Sequence, residues 1–344
     1  MAATLRDVAH RARVSPSTVS RVLNNINTSI LISEETRQRV LSAAQEVGYK
    51  PNVVARQLVR QQSFDLICVI VPHASPSVLT HPFYMSVVQG IAHTCQQQGY
   101  AVTLYFADTN TPDPHILARD YGRIQDIPAN GIILTTTYLN EQYVPRLLAD
   151  NIPFVHIGHF ASNTPPTTHF VDVDNVMGGR LATEHLQQQG HQRIATITGD
   201  LTMPAGQDRL VGYQTAMLHA GLPTPPAWIV PGTFDPDSGY VGMQQLLALS
   251  PRPTAVFAAG DAMAIGAIQA IQEAGLTIPG DIALVGFDDL PQAAHTTPPL
   301  TTVQQPTTRL GEVAAEMLLA HVTAVSPPPA HIILQPHLII RDSS

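Results

Sequence analysis

Apolar positions at the start of the chain recur at helical spacing. Leu5, Val8, Ala9 and Ala12 fall at i, i+3, i+4 and i+7, and Thr4 is placed to cap the helix they define. Arg13-Val14 reads as a turn, and Ser15 caps a second helix that opens on Pro16. Val19, Val22 and Leu23 mark the inner face of that helix, leaving Ser17, Thr18, Ser20 and Arg21 outside. A third helix is expected after Ser33, with Glu34 and Glu35 in its first turn, Val40, Leu41, Ala44 and Val47 inward, and Gly48 ending it. From Phe64 onward the pattern changes to short apolar β-rich runs (66–71, 102–106, 131–134, 153–157, 193–198, 255–259, 282–285) alternating with helix-like segments. That alternation predicts an α/β region with parallel sheets covered by helices on both faces. Ligands of such sheets bind beyond the carboxyl ends of the strands.

Charge separates the two regions. Residues 1–60 hold nine basic and four acidic side chains, and the rest holds nine and twenty-two, so a head of +5 precedes a body of −13. A short basic helix with an outward row of hydroxyls and one arginine can set its first turn against base edges and phosphates of duplex DNA. The same residues also describe an ordinary helical hairpin with a polar face. Cys68 and Cys95 give no disulfide framework and read as buried free thiols. No apolar run approaches eighteen residues, and no signal-like segment opens the chain, so a cytoplasmic protein without membrane contact is expected. Lys50 is the only lysine, which leaves neither a phosphate-loop nor a Schiff-base lysine, and no G-x-S-x-G elbow or G-x-G-x-x-G loop occurs. The fifteen histidines are scattered without acid or thiol spacing that would complete a metal site.

The runs LRDVA, VSPSTVSRVLN, SEETRQRV and GYKPNVVARQL closely resemble the DNA-binding head of the LacI/GalR family of bacterial transcription regulators. The resemblance continues through DVDNVMGGRLATEHL, GHQRIATITG, PTAVFAAGDAMAIGAIQAIQEAGLTIPGDIALVGFDD and PPLTTVQQP. It implies an all-α helix-turn-helix headpiece (1–47), a hinge helix and linker (48–62) and a two-lobed effector domain similar to periplasmic sugar-binding proteins (63–344). Crossovers near Ser162, Pro291 and Val325 would divide that domain into an N-subdomain (63–161 and 292–324) and a C-subdomain (162–291 and 325–344).

The resemblance also implies function: a homodimer that represses a carbohydrate-use operon by binding a palindromic operator, under a small sugar-like effector and with no cofactor. Thr4, Ser15, Pro16, Ser17, Thr18, Ser20, Arg21, Asn24 and Asn52 would contact DNA, and Leu58 would wedge into the minor groove. Effector contacts would come from Phe83, Tyr84, Thr135, His159, Asp174, Arg209, Phe234 and Asp261. Asp261 follows the strand AVFAAG and would take two hydroxyls, and Arg209 would open a helix and reach ligand oxygens.

Three positions depart from the family pattern. Arg13 stands where glycine is usual, the loop 25–32 is about three residues longer, and Gly260 replaces the asparagine before Asp261. A purine-responsive regulator would carry arginine at the position of Met203. A sugar-transport protein and a sugar enzyme on the same two-lobed scaffold are the rival classes; the basic head and the absence of a signal-like segment argue against the first, and turnover of a bound sugar would reveal the second.

Overall fold

The computed structural model describes residues 3–24, 32–49, 65–72, 81–108, 113–135, 142–159, 168–323 and 331–344. The chain divides into two compact units, residues 1–64 and 65–344. The expected hinge residues Asn52 and Leu58, and most of the loop 25–32, lie outside the described residues.

The first unit contains α1 (Leu5–Ala12), α2 (Pro16–Asn24) and α3 (Glu34–Glu46). Val8, Ala9, Ala12, Val19, Val22, Val40, Ala43 and Ala44 form its core. Leu41, expected to face inward, is 42% exposed, and Ala43 takes the inner position. The reason is helical phase: positions 40, 43, 44 and 47 share one face, and residue 41 is rotated about 100° away from 40. Ala12 ends α1, and Arg13 caps it in the left-handed conformation at φ 54, ψ 46. The tight turn between α1 and α2 therefore needs the geometry that glycine adopts without strain.

The second unit is built on two six-stranded sheets. The first contains β1 (Leu66–Pro72), β2 (Ala101–Ala107), β3 (Gly131–Leu134), β4 (Phe154–Ile157), β5 (Phe170–Val173) and β11 (His331–Leu334), in the order β11-β5-β4-β3-β1-β2. All its pairings are parallel. The second contains β6 (Ile194–Ile197), β7 (Ile229–Val230), β8 (Ala255–Ala258), β9 (Ala283–Asp288), β10 (Thr301–Gln304) and β12 (His337–Ile339), in the order β12-β10-β9-β8-β6-β7. Only β12 runs antiparallel to its neighbour. Helices cover the sheets: α4 (Pro82–Gln97), α5 (Pro114–Gln125), α6 (Tyr143–Ala149) and α11 (Thr307–Thr323) with the first, and α7 (Asn175–Gln188), α8 (Pro204–His219), α9 (Pro236–Leu247) and α10 (Asp261–Glu273) with the second. Separate apolar clusters fill the two faces of the first sheet, and one large cluster surrounds the second.

The chain passes between the sheets later than expected. The crossings lie between β5 and α7, between β10 and α11, and between β11 and β12, not near Ser162, Pro291 and Val325. The runs FVDV (β5) and HIIL (β11) extend the edge of the first sheet, and β10 pairs with β9 in the second. Each of the first two crossings consequently starts at the carboxyl end of a strand, where ligand-facing loops belong. Cys68 and Cys95 are fully buried and unbonded, and burial raises their thiol pKa values to about 12 and about 11.

Candidate functional site

The amino-terminal turn of α2 presents a chain of hydroxyls. Ser15 Oγ accepts the Thr18 N–H at 3.2 Å and lies 2.7 Å from Ser17 Oγ and 2.9 Å from Thr18 Oγ1. Ser15, Pro16 and Ser17 are exposed, and Thr18, Ser20 and Arg21 are half-buried above Val19 and Val22. This is an outward row carried on a rigid inner stripe. Asn24 closes α2. Thr4 does more than cap α1: its hydroxyl and its N–H both donate to Asp7 Oδ2 at 2.7 Å, a capping box that holds the Asp7 carboxyl below its ordinary pKa. The Thr4 hydroxyl proton is thus engaged within the chain. Asp7, three residues after Thr4, was the legible sign of that box.

The second site lies between the sheets, at the strands' carboxyl ends. Phe83 and Tyr84, in the first turn of α4, meet edge to face at 5.3 Å and line the cleft with Thr135, Asp172, Asn175, Met203, Arg209 and Gln305. Thr135 closes β3, and its hydroxyl donates to the Ile70 carbonyl at 3.0 Å, so it is held as a wall of the cleft.

Arg209 is the centre of the site. It sits in the second turn of α8, since the helix begins at Pro204 and not at Arg209 as expected. Glycine sets its position: a Cβ on Gly179 of α7 would stand 2.3 Å from the Arg209 carbonyl oxygen, so only glycine lets the two helices approach this closely. The guanidinium lies 3.7 Å from the Phe287 ring centre and 5.4 Å from that of Phe234. Its Nε donates to Asn175 Oδ1 at 2.9 Å, and Nη1 donates to the Ala259 carbonyl at 2.6 Å and faces Asp288 Oδ1 at 3.5 Å. Burial works against the charge of this arginine, and Asp288 counters it.

Asp261 is not in the cleft. It is fully buried, with Oδ2 accepting the Leu290 N–H at 2.7 Å and Oδ1 accepting the Thr302 hydroxyl at 2.6 Å. Burial, and then the charge of Asp288, raises its pKa well above the usual carboxylate range. Asp288, at the end of β9, lines the adjoining cavity with Phe83 and Gln305, faces Arg209 and accepts from the Gln305 amide. Asp288 and Asp289 both adopt positive φ (119 and 56), and the bond from Leu290 to Asp261 holds the turn that follows them. The rule that selected Asp261, an acid at the carboxyl end of a buried strand, applies equally to the Asp-Asp pair ending β9. Only the turned backbone distinguishes them.

The remaining expected residues divide. Asp174 caps α7 by accepting the Met177 N–H at 2.8 Å. Phe234 takes a positive φ of 63 and packs its ring against Gly199 and Gly260. A Cβ on Gly260 would come within 3.3 Å of the Phe234 ring, so the missing asparagine makes room for the aromatic. His159, just after β4, lies at the cleft mouth. Its Nδ1 is 2.9 Å from Asp172 Oδ2 and 3.6 Å from Asp208 Oδ2. The bond to Asp172 raises the His159 pKa against the effect of burial. Asp172, Asn175, Asp288 and Gln305 were not singled out from sequence. Among the described residues no group of His, Cys, Asp and Glu could hold a metal ion, and no helix is long and apolar enough to cross a membrane.

Comparison with known proteins resolves the alternatives. Residues 4–52 match the model "Bacterial regulatory proteins, lacI family", and residues 183–344 match "Periplasmic binding protein-like domain". The HTH-type transcriptional regulator CelR of Thermobifida fusca is 35% identical over 340 residues, covering 99% of this chain and 98% of that protein. The chain belongs to the lacI family of bacterial regulatory proteins. The ribose operon repressor of Escherichia coli (strain K12) is also 35% identical, over 352 residues, covering 99% of this chain and all of that protein. Among solved structures, the CelR–cellobiose complex matches with TM-score 0.77 at 33% identity, covering 99% of this chain and 100% of that one. The lac repressor dimer bound to operator and the anti-inducer ONPF matches with TM-score 0.83 at 29% identity, covering 100% and 99%. As a lacI-family member the chain is a DNA-binding transcriptional regulator under effector control and not an enzyme, with a helix-turn-helix head and a two-lobed effector domain.

Proposed function

We propose that this regulator represses a carbohydrate-use operon as a homodimer, each headpiece reading one half of a palindromic operator, with a sugar-like effector held between the lobes. The observation that carries the effector reading is the Arg209–Asp288 pair, set beside two amides and three aromatic rings. A carboxylate and a planar guanidinium fix vicinal hydroxyls, amides supply both donor and acceptor, and rings pack on the apolar face of a pyranose. CelR was solved with cellobiose, which supports a sugar in the same cleft here.

On DNA, Ser17 and Arg21 meet base edges, and Ser15, Thr18, Ser20 and Asn24 hold phosphates. Leu58, outside the described residues, is proposed as a wedge at the operator centre. Effector binding shifts the population of lobe arrangements, by no more than its difference in affinity for the two states.

Selection of bound duplexes from a random DNA library, with and without a sugar panel, tests this reading. An inverted repeat of about 16–20 base pairs with a flexible central step is expected, and one sugar should change its recovery. Recovery of single, unpaired half-sites, or of no repeat at all, would sink it.

A further inference from the structure

The charges around the cleft restrict what the effector can be. The chain holds one lysine, Lys50, and the whole of residues 65–344 holds none. Phosphate and carboxylate ligands are taken by Lys or Arg with donors to spare. Among the described residues, each arginine around this cleft already has a carboxylate. Arg209 faces Asp288 at 3.5 Å, and His159 lies against Asp172 and Asp208. On the adjoining rim, Arg341 pairs with Asp289 at 2.6 Å, and Arg309 with Glu312 and Glu316, both at 2.9 Å. Asp208 carries a further negative charge beside Arg209, half-buried, with its pKa raised chiefly by burial. The amino-terminal turns of α4 and α8 also border the cleft, and the proline that opens each removes one of the N–H groups an anion could use.

We infer that the effector is an uncharged sugar or polyol, and that the cleft rejects the phosphorylated or acidic form of the same sugar. A polyhydroxyl ligand shares Asp288 with Arg209 and accepts or donates at Gln305 without breaking any ion pair. A phosphate ester has to displace Asp288 from Arg209 and lie near Asp172 and Asp208 in a partly desolvated cleft, where like charges act at short range. This inference rests on the proposed reading that the cleft holds a sugar-like effector.

The test is calorimetric titration of the full chain with matched pairs: glucose and glucose 6-phosphate, ribose and ribose 5-phosphate, and glucose and glucuronate, with cellobiose and glucosamine added. At least one neutral sugar is expected to bind, with its anionic partner at least tenfold weaker. Asp208→Asn, at a partly exposed position, should narrow that ratio several-fold by removing one repelling charge. An anionic sugar binding as tightly as its parent overturns the inference and leaves the sugar reading intact. So does a ratio that Asp208→Asn leaves unchanged, since shape and not charge would then discriminate. Preference for glucosamine over glucose overturns it too, because the acids would then be insufficiently paired. Binding of neither class overturns the underlying sugar reading.

Discussion

His159 Nδ1 of the first lobe lies 3.6 Å from Asp208 Oδ2 of the second. The pair therefore spans the cleft from one lobe to the other. Asp172 fixes the histidine from its own lobe by accepting both its ring and its backbone N–H at 2.9 Å. Asp174 and Arg209 are the other charged groups close to Asp208.

That geometry makes the link between the lobes sensitive to pH. The His159 pKa is raised above 6.5, mainly by Asp172 and further by Asp208. A raised histidine stabilises most below its ordinary pKa, and the contribution is lost as pH rises through the higher value. The thermal-stability difference between the native chain and His159→Gln should be greatest below about pH 6.5 and shrink towards pH 8. Its size should be about 0.5–1 kcal/mol, because the pair is partly exposed and screened. A difference constant from pH 5.5 to 8.5 would refute the role given to His159.

Arg209 is predicted to matter for both stability and effector response. Arg209→Met leaves Asp288 buried without its cation, at a cost of about 3–5 kcal/mol in chemical denaturation. Arg209→Lys keeps a charge but loses the planar contact with Phe287 and the Nε bond to Asn175. It should fold, bind operator normally and respond to effector at least tenfold more weakly in a DNA-release assay. Normal effector response in the lysine variant would remove Arg209 from the site.

Asp261 acts at one remove. Thr302→Val keeps the side-chain shape and withdraws one donor from a fully buried carboxyl. A loss of about 1–3 kcal/mol is expected. Weaker effector binding should accompany it, since Asp261 holds the turn after Asp288. Operator affinity without effector should not change. Titration calorimetry beside a DNA-binding isotherm separates these outcomes.

In the headpiece, Arg13→Gly should be stabilising. The left-handed backbone at position 13 strains a side chain, and glycine removes about 1 kcal/mol of that strain. Slower amide exchange across α1 and α2 in the full chain would register the gain. Unchanged exchange would mean that the arginine is held there by contacts that offset its strain.

The sequence carried the headpiece nearly to the residue, because caps, turns and helical phase are local signals. Among the described residues its one misplaced core position, Leu41, came from a position one residue off an otherwise consistent stripe. The lobes were readable as alternating strands and helices, but the crossings were not. Which sheet receives HIIL depends on a pairing partner, β5, more than a hundred residues away. Arg209 could be found from its motif. Asp288 could not be told from Asp261, because the choice lies in which way a carboxylate turns after its strand ends, and Leu290 and Thr302 decide that through space.

The three crossings bear on how the protein is made. The first sheet gains its edge strand β11 only from residues 331–334, and Ser343, fully buried, then donates to the Leu284 carbonyl and accepts from the Thr301 N–H in the second. Neither lobe is a continuous stretch of chain. During synthesis the headpiece can form as soon as it leaves the ribosome, while both lobes wait for residues 331–343. A transcript truncated near its 3′ end would thus yield a folded headpiece attached to an unfinished body, able to meet DNA but without a complete cleft to govern it.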